Sequence, residues 1–166
     1  MGFFDRLREK KAAPFEFPAT LGAVMSGTFV PMAQIPDAVF SSGVLGTCCG
    51  IEPEEGRVVA PVSGKVTQVA DTLHAVGLEA GGMDLLIHVG VDTVDMEGKG
   101  FSVKVKVGQS VEKGQELQTM DLEQIRAAGH PTTTILAVKN SDDFSTVEED
   151  ASGRVNSGDA VLRISK

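Results

Sequence analysis

The sequence predicts a mostly antiparallel β protein, and three observations carry that prediction. Short apolar runs alternate at period two and are cut by glycines, as from Phe101 to Val107, where Phe101, Val103, Val105 and Val107 alternate with Ser102, Lys104 and Lys106. Only one stretch has the punctuation of a helix: Asp121 as N-cap, Gln124 three residues later, Leu122 and Ile125 inside, then Gly129 and Pro131 to end it. Two short patterns also recur. Met25-Ser26-Gly27-Thr28-Phe29-Val30 echoes Val62-Ser63-Gly64-Lys65-Val66-Thr67, and Val111-x-x-Gly114 echoes Val155-x-x-Gly158, which points to a duplicated β-unit.

Taken in order, residues 1–18 read as a tail and residues 19–166 as the domain. In the tail, Phe3, Phe4 and Leu7 share one helical face, Arg6, Arg8, Lys10 and Lys11 supply positive charge, and Pro14 would stop a helix. Residues 1–13 therefore read either as an unstructured end or as an amphipathic helix that forms on an anionic membrane surface. Myristoylation of Gly2 is not expected, because Arg6 stands where that motif needs Ser or Thr. From Thr20 the chain becomes a succession of β-like runs: Ala23 to Val30, Arg57 to Val62, Lys65 to Val69, and the alternating Val76, Leu78 and Ala80. In Met83 to Asp92, Leu85, Ile87, Val89 and Val91 share one face, read as core, while Leu86, His88 and Gly90 share the other. His88 is thereby displayed as an accessible imidazole. His74 lies just ahead of the Val76 run, and two strands joined by a turn can bring the two rings together.

Composition narrows the class. With 166 residues and 42% hydrophobic content the chain reads as one globular domain with enough apolar side chains for a core. Its apolar runs are a few residues long, against the roughly 20 that a membrane-spanning helix needs, and no secretory leader is visible, so a cytoplasmic protein is expected. A formal charge of −8 argues against a nucleic-acid surface and suits solubility or basic protein partners. Cys48 and Cys49 are adjacent, where a disulfide would close a strained ring; without His or Cys at ligand spacing they read as small buried apolar residues.

Four stretches, Ala60 to Val66 (A-P-V-S-G-K-V), Thr72 to Ala75 (T-L-H-A), Leu86 to Val94 (L-I-H-V-G-V-D-T-V) and Gly98 to Phe101 (G-K-G-F), closely resemble the glucose-family enzyme IIA of the bacterial phosphoenolpyruvate-dependent sugar phosphotransferase system. Ile35 to Phe40, Gly46 to Gly50, Val111 to Gly114 and Val155 to Asp159 fit the same family, so the resemblance spans residues 20 to 166. It implies an all-β fold, an antiparallel β-sandwich or barrel-like hybrid of two related halves with one or two short helices, and no cofactor. It implies that the histidine phosphocarrier protein phosphorylates His88 at Nε2, and that the phosphoryl group passes to a cysteine on the IIB domain of a sugar permease. His74 would contact the phosphate and Thr72 would hydrogen-bond within the site. Phe40, Val44 and Leu86 would form an apolar docking rim, with Asp37, Asp92 and Asp95 meeting basic side chains of the carrier. Ala70 and Val89 stand where relatives carry aromatics, which would shrink that rim. Standalone relatives begin with a Met-Gly-apolar-Phe-Asp segment that associates with membrane, and residues 1–5 match it, so a separate IIA protein at the inner face of the membrane is expected. Unphosphorylated relatives bind and inhibit other transporters or enzymes, and His74 with His88 can share a zinc ion completed by a partner's carboxylate.

The residue chemistry is consistent with those roles. Imidazole titrates near neutrality, so a neutral nucleophilic nitrogen is available without a base, and a second ring can donate to phosphoryl oxygens. No G-x-x-x-x-G-K-[ST] loop for ATP occurs. A lysostaphin-like zinc endopeptidase is the main competitor, since His88 and Asp92 make an H-x-x-x-D, but the H-x-H it also needs is missing and His130 is the one remaining histidine. A biotinyl or lipoyl carrier, suggested by Ala60 to Lys65, is weaker.

Overall fold

The computed structural model describes residues 15–166, so the amphipathic face read over residues 1–13 lies outside the described residues. An eight-stranded sheet runs in the spatial order β13 (Arg154–Val155), β2 (Gly27–Val30), β3 (Thr47–Pro53), β11 (Thr134–Val138), β7 (Met83–Val89), β6 (Ala75–Ala80), β5 (Gly64–Val69), β9 (Ser110–Val111). Two three-stranded sheets complete it: β1 (Ala19–Gly22), β14 (Ala160–Ser165) and β12 (Thr146–Glu149), and β4 (Arg57–Val59), β10 (Glu116–Met120) and β8 (Phe101–Val103). All the strand pairs are antiparallel. The helices are short, α1 (Ala38–Ser41) and α2 (Leu122–Ala127), and Asp121 caps α2 by accepting from the Gln124 amide at 3.1 Å.

The recurring sequence patterns are partners in space. Gly27 opens β2 and pairs with Val155 of β13; Gly64 opens β5 and pairs with Val111 of β9. The turns between them are tied alike. Ser26 Oγ accepts from Ser157 N and Ser63 Oγ from Lys113 N, both at 2.9 Å, while Gly158 N donates to Ala23 O and Gly114 N to Ala60 O, again at 2.9 Å. Glycine is required where each strand starts, because a Cβ would lie 2.0 Å from Glu52 O at Gly27 and 2.4 Å from Glu79 O at Gly64. The β-unit is thus duplicated in structure as well as in sequence.

β7 alternates as its sequence does. Leu85, Ile87 and Val89 are fully buried in the main core, while Leu86 and His88 are half-buried on the opposite face. That second face carries its own small cluster. Ile135 and Ala137 of β11 and Cys48 of β3 line up beside His88 and Leu86 and are roofed by Ile35 and Phe40. The segment holding α1 thereby covers one side of His88.

Three expectations change. Ala23 to Val30 is not one strand: the turn tied by Ser26 interrupts it, and the pairing begins at Gly27. The alternation from Phe101 stops as strand at Val103, because Gly108, at φ 91°, turns the chain toward β9 and leaves Val107 63% exposed. Phe17, read as tail, packs on Phe144 with ring centroids 5.6 Å apart.

Candidate functional site

Register assembles the site. Ala75 of β6 lies opposite His88 of β7, and the Val89 amide donates to His74 O at 2.8 Å, so the residue just ahead of β6 is held beside the end of β7. The two imidazoles meet edge to face, with centroids 4.8 Å apart and planes at 80°. Phe40 closes the other side of His88, its ring centroid at 5.1 Å.

Each ring is oriented through Nδ1. His88 Nδ1 lies 2.8 Å from the Gly90 carbonyl oxygen. A carbonyl can only accept, so Nδ1 carries the proton and the neutral ring keeps its lone pair on Nε2. Gly90 turns its carbonyl back toward the ring at φ 77°, a conformation that favours glycine, and a Cβ there would meet Thr93 Cγ2 at 2.5 Å. Thr93 is itself fixed: it is fully buried and donates its hydroxyl to Val89 O at 2.6 Å. His74 Nδ1 lies 2.7 Å from Thr72 Oγ1. When that hydroxyl donates, the His74 proton sits on Nε2, where it can bond an anion held by the neighbouring ring.

Both imidazoles are held below their ordinary pKa of 6.5. For His74 burial is the main cause and the nearby His88 adds to it, against hydrogen bonding to the Thr72 backbone. For His88 burial again leads, opposed by the Gly90 hydrogen bond and by the negative charge of Asp37 and Asp92. Neutral rings at pH 7 follow, and the lone pair on His88 is available. Burial, with help from Glu149 and Asp37, pushes the Cys48 thiol up to about 12, so it is no competing nucleophile.

His74, His88 and Thr72 therefore come together, and the residues expected around them sort into three positions. Phe40 is 5% exposed and packs beside His88 as part of the cluster's roof, not as an open rim, because α1 lays it into the small second cluster. Leu86 is half-buried two residues from His88, and Val44, in the loop after α1, is 71% exposed. Asp37 caps α1, accepting from Val39 N at 2.8 Å and Phe40 N at 3.2 Å, and Asp92 starts the 3-10 turn Thr93–Met96 at φ 60°. Asp95 is bonded to His130 Nε2 at 2.7 Å. Val89 is fully buried in the main core, so a smaller residue there does not shrink the rim. Among the described residues, no three His, Cys, Asp or Glu side chains are grouped to hold a metal, and no helix is long and apolar enough to cross a membrane.

Comparison with known proteins identifies the family. A family model for the phosphoenolpyruvate-dependent sugar phosphotransferase system, EIIA 1, matches residues 19–144. The chain belongs to this family. The glucose-specific EIIA component of Halalkalibacterium halodurans is 36% identical over 162 residues, covering 97% of this chain and 92% of that one. The β-glucoside-specific EIIBCA component of Bacillus subtilis is 42% identical over 142 residues, which is 85% of this chain but 23% of that longer protein. Glucose permease IIA from Mycoplasma capricolum superposes with a TM-score of 0.78 at 31% identity, covering 87% of this chain and 94% of that one.

As an EIIA domain, the chain has a phosphocarrier role in sugar phosphotransfer. Sequence reading missed three supports of that pair. The Gly90 turn and the Thr93 staple involve the G and T of H-V-G-V-D-T, a signal of residue types that does not show which groups bond, whereas the tie from Gln118 Nε2 to Leu73 O at 2.9 Å crosses between distant segments and leaves no local signal.

Proposed function

We propose that His88 accepts a phosphoryl group on Nε2 from the histidine phosphocarrier protein and passes it to a cysteine of a sugar-permease IIB domain. The observation that carries this is the Nδ1–H of His88 donating to the Gly90 carbonyl at 2.8 Å. In the first step the Nε2 lone pair attacks phosphorus, the N–P bond to the carrier's histidine breaks, and its electrons return to that ring. The phosphorylated ring keeps its proton on Nδ1, hydrogen-bonded to the Gly90 oxygen, so it leaves as a neutral imidazole. A thiolate of the permease then attacks phosphorus, the Nε2–P bond breaks, and His88 is neutral again. His74, aligned by Thr72, donates from Nε2 to the phosphoryl oxygens and fixes them in line.

Leu86 and Val44 offer apolar contact to both partners, and the negative charge of Asp37, Asp92 and Asp95 meets basic side chains on the carrier. Phosphorylation places about two negative charges on this face, so unphosphorylated and phosphorylated forms present different surfaces to regulated transporters or enzymes. Two neutral imidazoles supply half of a tetrahedral zinc set, and a partner's carboxylate would have to complete it. Residues 1–13 join the chain to anionic lipid through Phe3, Phe4, Leu7 and their basic neighbours, which vesicle binding that weakens with salt would support.

The test is reconstitution with phosphoenolpyruvate, the histidine phosphocarrier protein, the enzyme that charges it from phosphoenolpyruvate, and a IIB domain. Wild type should take up one acid-labile phosphoryl group and His88→Ala none, while His74→Gln should accept but transfer onward poorly. Uptake by His88→Ala at the wild-type level would sink the proposal.

A further inference from the structure

We propose that Gln118 is a positioning residue for His74. From β10, in the sheet it forms with β4 and β8, it holds the peptide that leads into His74 and so sets where that ring meets the phosphoryl group. The proposal rests on the phosphocarrier reading and deepens it.

Gln118 is fully buried, and its Nε2 donates to the Leu73 carbonyl at 2.9 Å. That carbonyl belongs to the Leu73–His74 peptide, whose plane fixes the direction in which the His74 Cα leaves. The turn it steadies is a strained one. Leu73 sits at φ 61°, in the left-handed region that bulky L residues rarely adopt. Its own bonds, Leu73 N to Ala70 O at 2.8 Å and Ala70 N to Ala75 O at 3.0 Å, close the turn from the β6 side. Gln118 grips it from the opposite sheet. Pairing of β10 with β4 shifts register between Glu116 and Gln118, an irregularity of the kind that re-aims a side chain.

The other end of the amide argues that packing is not why Gln stands there. Gln118 Oε1 is buried without a hydrogen-bond partner among the described residues. An orphaned carbonyl oxygen destabilises a core, and Met would fill a similar volume without one. What Met cannot do is donate to Leu73 O. The amide is retained at a stability cost for its NH₂, and what that NH₂ holds is the approach to His74.

Gln118→Met is the test. Its thermal midpoint should change little, since loss of the orphaned oxygen offsets the Leu73 carbonyl left without its donor. Uptake onto His88 should persist, while onward transfer to the IIB domain slows about 10- to 100-fold through misplacement of His74. In a His74→Gln background, Gln118→Met should add nothing, because it acts through a ring already replaced. The His74 ring nitrogen resonances should shift, with those of His88 unmoved. A midpoint that falls in step with transfer, a defect that adds in full to that of His74→Gln, or unmoved His74 resonances would each overturn the proposal. If the variant does not fold, exchange in the wild type decides: one Gln118 side-chain amide proton should exchange as slowly as the β10 backbone amides, and fast exchange refutes the tie. Should the wild type take no phosphate from the carrier, the phosphocarrier reading fails, and the His74 resonances still decide whether Gln118 positions that ring.

Discussion

At the scale of residues, the proposed roles rest on two ordinary imidazoles that burial keeps neutral and whose Nδ1 atoms have different partners, the Gly90 carbonyl for His88 and the Thr72 hydroxyl for His74. Both are held below 6.5, so the folded protein binds fewer protons than the unfolded chain once pH drops below that value. Stability should be indifferent to these groups above about pH 6.5, fall as pH decreases from there, and level off below the depressed folded values. Denaturant unfolding of wild type and of a His74→Gln, His88→Gln double variant across pH 5 to 8 checks this, and the variant's profile should be flatter. Phosphoryl acceptance should likewise keep its rate below pH 6.5, where a free imidazole would already be protonated. Removing the hydroxyl in Thr72→Ala leaves His74 Nδ1 without its 2.7 Å partner and frees the tautomer. Onward transfer should drop about tenfold or more, with uptake nearly intact, in a rapid-quench transfer assay. The pair itself was legible in the sequence, since period two put His88 opposite the core face; the roles of its nitrogens were not, because they depend on a backbone carbonyl that only the turn at Gly90 supplies.

At the scale of elements, the turn after β7 and the short helix α1 decide where the rings sit. Gly90→Ala adds a methyl 2.5 Å from Thr93 Cγ2 at a φ of 77°, and Thr93 cannot move away without losing its bond to Val89 O. The left-handed and overpacking penalties together should cost about 2–4 kcal/mol in chemical denaturation. Loss of the Gly90 carbonyl's aim should slow uptake as well. α1 went unread because four residues are too few for a helical period, although Asp37 before Ala-Val-Phe was a cap signal in plain view. Because α1 buries Phe40, a charge placed there enters the small cluster and not an open rim. Phe40→Asp should lose about 3 kcal/mol or more in the same denaturation series, because the small cluster loses its roof and a carboxylate is buried unpaired. The strand from Phe101 shows the opposite error: its alternation continued past Val103, and only Gly108 marked the turn that cut it short.

For the whole molecule, duplication explains the architecture: two β-units, each pairing an S-G turn with a V-x-x-G partner, sit in the large sheet. The two S-G turns with their V-x-x-G partners were readable as repeats, yet that each pattern pairs with the other across a sheet edge is a long-range fact that no local window contains. The exposed side chains near the site test the docking reading without endangering the core. Val44→Asp, at a position 71% exposed, should change stability by no more than about 0.5 kcal/mol and slow phosphoryl acceptance several-fold by desolvating a charge against the carrier. Steady-state transfer kinetics at varied carrier concentration will show the change in the apparent affinity for the carrier. The most direct measurement addresses the nitrogen itself: nuclear magnetic resonance of the phosphorylated protein with ¹⁵N-labelled histidine. A single phosphate bonded to Nε2 of His88, with Nδ1 still protonated and hydrogen-bonded, is the predicted result; phosphate on Nδ1 of His88, or on His74 or His130, would contradict it.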